Sequence, residues 1–333
     1  MKAKLTTWGA GERVKLVDIV PLDTPLSIQV EPSSACNFKC HYCYRQADPE
    51  RYKHSNMLDF TVFKKFIDDL KGFGRPLKSL MFAKMGEPTL NPELPDMIKY
   101  VKKSGTALST KVITNGSMLN PDYNLKLIDS GLDVLRISIQ GLTEEEYINI
   151  CGYKIDMERF LANIKHFYEN KKQCKVFIKI LDTIIEDRKE AFFEMFGNIC
   201  DEISIEHQIP ARFSKGNDSD VTNMVGETIE KDVICCPIPF YSLNLEVNGD
   251  IEICTVRLGE ESLLGNVVAN NIVEIWNNEK LNNFRILQLS GNRIKHKECR
   301  RCIAPSLCLQ SSDCIDSKIK KLLKWYGHDG ERL

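Results

Sequence analysis

Three cysteines stand in one short loop, Cys36-Asn-Phe-Lys-Cys40-His-Tyr-Cys43, spaced C-x3-C-x2-C. Thiolates are soft ligands, and three of them on one tight loop can hold three irons of a 4Fe-4S cube. The fourth iron is then left to a ligand from outside the protein. A structural zinc site would ask for a fourth Cys or His close by, and His41 lies between the ligands, where it can hardly turn back to their metal. The spacing points to an open-site cluster, with zinc as the plain alternative. Further along, seven of the chain's 13 cysteines fall between Cys235 and Cys314. The N-terminus lacks the apolar stretch of a secretory signal. So many thiols without an export signal argue for metal ligation in a reducing compartment rather than disulfides, so a cytoplasmic protein is expected.

The elements that must position these residues alternate in type. Apolar runs at residues 26–30, 77–83, 108–114, 134–140, 176–181 and 203–207 predict six strands. Between them, helical spacing predicts helices at 59–71, 94–103 and 123–130, a long helical region up to residue 169, and a helix at 189–199. Alternation of this kind implies a parallel sheet with right-handed crossovers. Six units are too few for a closed eight-stranded barrel, so the expected fold is α/β with an open, partial (β/α)6 barrel. In such barrels chemistry gathers at the C-terminal ends of the strands. There the chain places Met85-Gly86-Glu87-Pro88, Thr114-Asn115-Gly116 and Ser138-Ile139-Gln140-Gly141.

The C-x3-C-x2-C spacing, with the aromatic Tyr42 before the last cysteine, resembles the radical S-adenosylmethionine (SAM) superfamily. The resemblance implies that Cys36, Cys40 and Cys43 hold the cluster and that SAM chelates the open iron. Reductive cleavage of SAM would then give methionine and a 5′-deoxyadenosyl radical that takes a hydrogen from substrate. Met85-Gly86-Glu87-Pro88 is similar to the family's Gly-Gly-Glu-Pro segment, with Met85 in place of the first glycine. An ammonium needs carboxylate and carbonyl acceptors, so Glu87 is the expected partner of the SAM amino group; the alternative is an ordinary Gly-Glu-Pro turn. Asn115, Ser138 and Gln140 match strand-end segments near SAM, with Ser138 the candidate ribose or carboxylate contact. Lys179 is either a partner of the SAM carboxylate or a solvent-facing lysine. Relatives with similar C-termini carry an arginine shortly after strand four; the segment Tyr147–Gly152 has none. Cys151 is a candidate hydrogen donor or a small buried residue. His207 faces substrate or sits in the core.

Residues 212–234 read as a linker or covering loop. Beyond it, Asn248-Gly249 between alternating runs predicts a β-hairpin. Cys236-x12-Gly249-x4-Cys254 and Cys299-x2-Cys302-x5-Cys308 resemble the SPASM and twitch modules of radical SAM enzymes. The next cysteine of that pattern would fall at Ser312; Cys314 follows two residues later. The resemblance then implies one auxiliary 4Fe-4S cluster on Cys236, Cys254, Cys299 and Cys302. A second would need Cys235, Cys308 and Cys314, and a zinc ribbon is the alternative to both. The resulting plan is an N-terminal extension over 1–25, a barrel over 26–211, a linker over 212–234, a hairpin-plus-helix cluster module over 235–315, and a C-terminal helix or tail over 316–333.

The chain has 333 residues, 43% apolar and 27% charged, with a formal net charge of −1. It can bury a substantial core. The charge gives no ground for a nucleic-acid or membrane-surface partner, and no apolar run approaches the ~18–20 residues that span a bilayer. The basic stretch at residues 293–301 either meets an anionic substrate or is a solvated face. The expected activity is hydrogen abstraction leading to dehydrogenation or epimerisation of a sugar-like, aminocyclitol or nucleotide-linked small molecule, because this length leaves little room for a separate peptide-recognition domain. Peptide modification is the runner-up, and an electron carrier without turnover is the rival from another class. A flavodoxin or ferredoxin would supply the electron.

Overall fold

The computed structural model describes residues 2–6, 13–47, 55–208, 233–254, 259–297, 299–302, 304–308 and 311–327. Most of the expected linker, the end of the chain and the side chain of Cys308 lie outside that set. Six parallel strands follow the expected order: β2 (Ser27–Val30), β3 (Ser79–Phe82), β4 (Thr110–Thr114), β5 (Val134–Ser138), β6 (Lys175–Leu181) and β7 (Glu202–Glu206), each paired with the next. A short strand β1 (Lys4–Leu5) closes the outer edge beside β7. At the other edge β8 (Ser242–Leu245) pairs in parallel with β2, and β9 (Asp250–Glu252) and β10 (Leu263–Asn266) follow antiparallel. The barrel and the cysteine-bearing hairpin therefore share one ten-stranded sheet.

Alternation along the strands sorts the two faces. Ile28, Val30, Leu80, Phe82 and Val112 are fully buried under the helices. Their neighbours Gln29, Met81, Lys111, Ser138 and Lys179 share the other face, toward the barrel lumen. The covering helices start and stop where their ends are satisfied. Asp59 caps helix Phe60–Asp69 by accepting from the N–H groups of Thr61 and Val62, and that helix buries Phe63, Phe66 and Ile67. Each such side chain contributes about 1.5–3 kcal/mol. Thr143 and Glu146 form a reciprocal capping box at the start of helix Glu144–Cys151, and Gly152, at φ 62°, ends it. Asn248-Gly249 makes the expected turn, with Gly249 at φ 87°. Among the described residues no helix is long and apolar enough to cross a membrane.

Candidate active site and auxiliary metal centre

The three-cysteine loop sits on the C-terminal end of helix Glu144–Cys151. Lys39 N–H donates to the Cys151 carbonyl at 2.7 Å and His41 N–H to the Ile150 carbonyl at 3.0 Å. Within the loop, Cys43 N–H reaches the Cys40 carbonyl at 3.0 Å. All three thiols of the loop are half-buried. Burial pushes the Cys36 thiol up to about 12 and raises that of Cys43 as well. Cys40 is raised first by its hydrogen bond with Cys151 and then by burial. Thiols held protonated in this way become good ligands only when a metal displaces the proton.

Gly86 shows how closely the next segment approaches. A Cβ there would lie 1.8 Å from the Ser33 carbonyl oxygen and 2.7 Å from that of Ala35. Only glycine lets the Met85–Glu87 backbone lie against the start of the cysteine loop, where Glu87 N–H donates to the Ala35 carbonyl at 2.7 Å. Glu31, at the end of β2, accepts from the N–H groups of Met85 and Gly86 at 3.1 and 3.2 Å. The loop is thus held at its backbone, and a methionine in place of the first glycine is accommodated.

A cleft of about 350 Å³ opens beside the loop, lined among others by Cys43, Tyr44, Met85, Gly86, Asn115 and Ser138. Asn115 Nδ2 donates to Asn37 Oδ1 in the cysteine loop at 2.9 Å, tying the end of β4 to it. Tyr42 donates through its hydroxyl to Gln140 Oε1, and Gln140 Nε2 reaches the Ser138 carbonyl at 3.2 Å. Lys179, in register with Ser138 on β5, is pushed down to about 8, first by burial, against the opposing pull of Glu206.

Glu87 lines this cleft and also braces its own loop. It is 3% exposed, and Oε1 accepts from Thr89 N–H at 3.0 Å, Thr89 Oγ1 at 2.5 Å and Thr114 Oγ1 at 2.6 Å. Oε2 accepts from Asn115 N–H at 2.7 Å. The carboxylate braces its loop against the end of β4, and an ammonium would have to share an oxygen already engaged. Burial still raises its pKa despite these donors.

A second group of cysteines gathers beside the hairpin. Cys236, Cys254, Cys299 and Cys302 all line one cavity, with Phe284, Gln288 and Arg293 among its other walls. Among the described residues no three Cys, His, Asp or Glu side chains converge as the ligands of a single ion do. Cubic clusters take each thiolate on a different iron, which asks for a ring of sulfurs around a cavity. The donor set, four thiols on one cavity, fits such a cluster. Cys235 lies elsewhere, fully buried in an apolar cluster with Leu16, Phe240 and Leu322, its N–H donating to Asp316 at 2.9 Å.

Residues 30–196 match the family model of the radical SAM superfamily, and residues 235–303 match that of an iron–sulfur cluster-binding domain, SPASM. The chain belongs to the radical SAM superfamily. It is 23% identical over 322 residues to the tungsten-containing aldehyde ferredoxin oxidoreductase cofactor-modifying protein of Pyrococcus furiosus, covering 84% of this chain and 88% of that one. It is 34% identical to the Fe-coproporphyrin III synthase of Methanosarcina barkeri over 33% of this chain and 26% of that protein. Among solved structures, BtrN in complex with AdoMet and 2-DOIA superposes with a TM-score of 0.56 at 19% identity, over 86% of this chain and 96% of BtrN. SuiB of Streptococcus suis bound to SAM superposes with a TM-score of 0.59 at 17% identity, over 88% and 77%.

In this radical SAM barrel the sequence-expected residues fall in different places. Cys43, Met85, Gly86, Glu87, Asn115 and Ser138 line one cleft. Cys151 Sγ donates to the Tyr147 carbonyl at 2.9 Å and lies against Cys40. His207 stands at the end of β7, paired with Asp182. Arg293, from the basic stretch, reaches into the auxiliary cavity and donates to the Cys302 carbonyl at 3.0 Å. Glu31, Lys84 and Gln288 were not anticipated. Glu31 directly precedes the cysteine loop and Lys84 the Met-Gly-Glu-Pro segment, which were the available signals; Gln288 offered none.

Proposed function

We propose that this radical SAM enzyme dehydrogenates a C–H centre of a sugar-like or nucleotide-linked small molecule and that one auxiliary 4Fe-4S cluster takes the surplus electron. The observation that carries this reading is one cavity lined by Cys236 and Cys254, which flank a hairpin continuing the barrel sheet, and by Cys299 and Cys302 from beyond helix Glu279–Leu289. When bound, the cluster at Cys36, Cys40 and Cys43 supplies the electron that splits SAM and yields the hydrogen-abstracting radical. The chain's own work is to hold SAM and exclude water around it. The Met85 and Gly86 backbone and Ser138 line the place for SAM, and Lys179 offers a positive charge to its carboxylate. Tyr42 and Gln140 fix the loop's far side.

Dehydrogenation is favoured over epimerisation because the second centre gives a substrate radical's electron somewhere to go. An epimerase needs a free hydrogen donor at the cleft, and the Cys151 thiol is engaged by the Tyr147 carbonyl. A small molecule is supported by BtrN, crystallised with AdoMet and 2-DOIA, which superposes over 96% of its length. Peptide modification stays as the second reading, because anSMEcpe with a bound Cp18Cys peptide superposes over 95% of its length with a TM-score of 0.57. A reducing protein such as a flavodoxin or ferredoxin completes the proposal.

The test is the double substitution Cys236→Ala with Cys254→Ala. Iron should fall by about four per chain, the content of one cube. Formation of 5′-deoxyadenosine from SAM and a chemical reductant should persist. Loss of SAM cleavage in a folded protein that retains its first cluster would sink the division of labour, and a loss of about eight irons would bring Cys308 and Cys314 into the ligand set.

A further inference from the structure

Helix Glu279–Leu289 turns Phe284 and Gln288, one helical turn apart, toward the four-cysteine cavity. Phe284 is an apolar wall. Gln288 is not explained that way. It is fully buried, its Nε2 lies 3.8 Å from Cys299 Sγ, and its Oε1 has no hydrogen-bond partner. A buried carboxamide with an orphaned carbonyl is costly, and an apolar side chain of similar volume would fill the position at lower cost. Stability therefore does not account for it, whereas an N–H aimed at a ligand sulfur does. The orientation is also the chemically sensible one, since the amide oxygen turned toward a thiolate would repel it.

Arg293 supplies a second, independent observation. It stands just past the same helix, lines the same cavity, and donates through Nη2 to the Cys302 carbonyl at 3.0 Å, while Nη1 is buried without a partner. Reduction of a thiolate-bound cluster adds one electron and one negative charge, spread partly over the sulfurs. An N–H donor to sulfur and a nearby guanidinium both stabilise the more negative state.

We infer that Gln288 and Arg293 are positioning residues that raise the reduction potential of the auxiliary cluster and so make it an electron acceptor. The inference rests on the reading that Cys236, Cys254, Cys299 and Cys302 hold that cluster, and it assigns the two side chains that tune it. The same pair gives direction to the proposed chemistry: the substrate radical gives up its electron to the cluster and its proton to solvent, and no hydrogen is returned.

The experiment is an anaerobic potentiometric titration of the full-length, reconstituted protein followed by electron paramagnetic resonance. Added SAM shifts the signal of the open-site cluster and so identifies the other signal as auxiliary. Gln288→Leu, and Gln288→Met as a second removal of the donor, should each lower the auxiliary midpoint by about tenfold in the one-electron equilibrium, ~59 mV. Arg293→Met should lower it as well, and Arg293→Lys should restore most of the loss. Midpoints unchanged in the Gln288 and Arg293 variants, at wild-type iron content, overturn the inference and leave the cluster reading standing. A wild-type protein that binds only about four irons overturns the cluster reading and this inference with it.

Discussion

Lys84 offers a direct test of how the Met85–Glu87 loop is tied to the cysteine hairpin. Its ammonium is 2% exposed and paired with two carboxylates from the hairpin region, Glu246 and, at 3.2 Å, Glu252. Its backbone has φ 116°, a conformation that side-chain-bearing residues rarely adopt. Such strain costs of order 1–3 kcal/mol and persists only where surrounding structure demands it. Lys84→Met removes the shared cation from two buried carboxylates and keeps the strain. Breaking one side of a buried ion pair costs about 3–5 kcal/mol, a large part of the ~5–15 kcal/mol that holds a protein folded. Lys84→Gly removes the same charge but relieves the backbone, so it should be the milder change by about 1–2 kcal/mol after the entropy of glycine is counted.

The assay is urea unfolding of anaerobically prepared protein, with SAM affinity measured in parallel by equilibrium binding. The expected stability order is wild type, then Lys84→Gly, then Lys84→Met. Neutralising the carboxylates as well, in Lys84→Met with Glu246→Gln and Glu252→Gln, should recover most of the loss, because a buried pair removed whole is often nearly neutral. SAM binding should weaken in Lys84→Met, since the residue opens directly into Met85-Gly86-Glu87. A Lys84→Met protein within about 1 kcal/mol of wild type, below the range for a broken buried pair, would refute the reasoning. So would a triple variant no more stable than the single one.

Other outcomes follow from the same geometry. Cys40→Ala should abolish 5′-deoxyadenosine formation, and a wild-type rate in the reconstituted variant would remove the cysteine loop from the chemistry. Glu87→Gln should lower unfolding free energy by about 1.5–3 kcal/mol, the range for hydrogen bonds to a charged acceptor; unchanged urea midpoints would deny the brace. Lys179 has its folded value near 8 against an ordinary 10.5. Between those values the unfolded chain binds more protons, so wild-type stability should rise with pH across that window. Lys179→Met should lack that rise in a pH series of unfolding curves.

Much of this arrangement was legible because it is local. The C-x3-C-x2-C loop, the six alternating strands and the Asn248-Gly249 turn are each written within a few residues, and the pairing of successive parallel strands follows from their order. What could not be read are contacts between distant segments. Glu31 reaches Met85 and Gly86, Lys84 reaches Glu246 and Glu252, and Arg136 on β5 pairs with Glu206 on β7. Each of these residues looks like an ordinary charged residue in its own neighbourhood. At Glu87 the motif gave the cleft position, while the Thr89, Thr114 and Asn115 donors that engage its carboxylate come from contacts no motif lists.

The parallel pairing of β8 with β2 was likewise invisible to local pattern, and it decides how the two cysteine systems relate. Its register runs Ser27 to Ser242 through Val30 to Leu245. A slip by one residue would turn Leu243 and Leu245, both fully buried, onto the opposite face, so the register is strongly specified. Cys36 follows β2 and Cys254 follows β9, the antiparallel partner of β8. The placement of one cysteine system against the other is thus set by backbone hydrogen bonds and not by the metals themselves. Removing Cys236 and Cys254 takes ligands from the end of this ladder and leaves the ladder intact. That is why the barrel cluster should load without the auxiliary one, even though both sit on a single sheet.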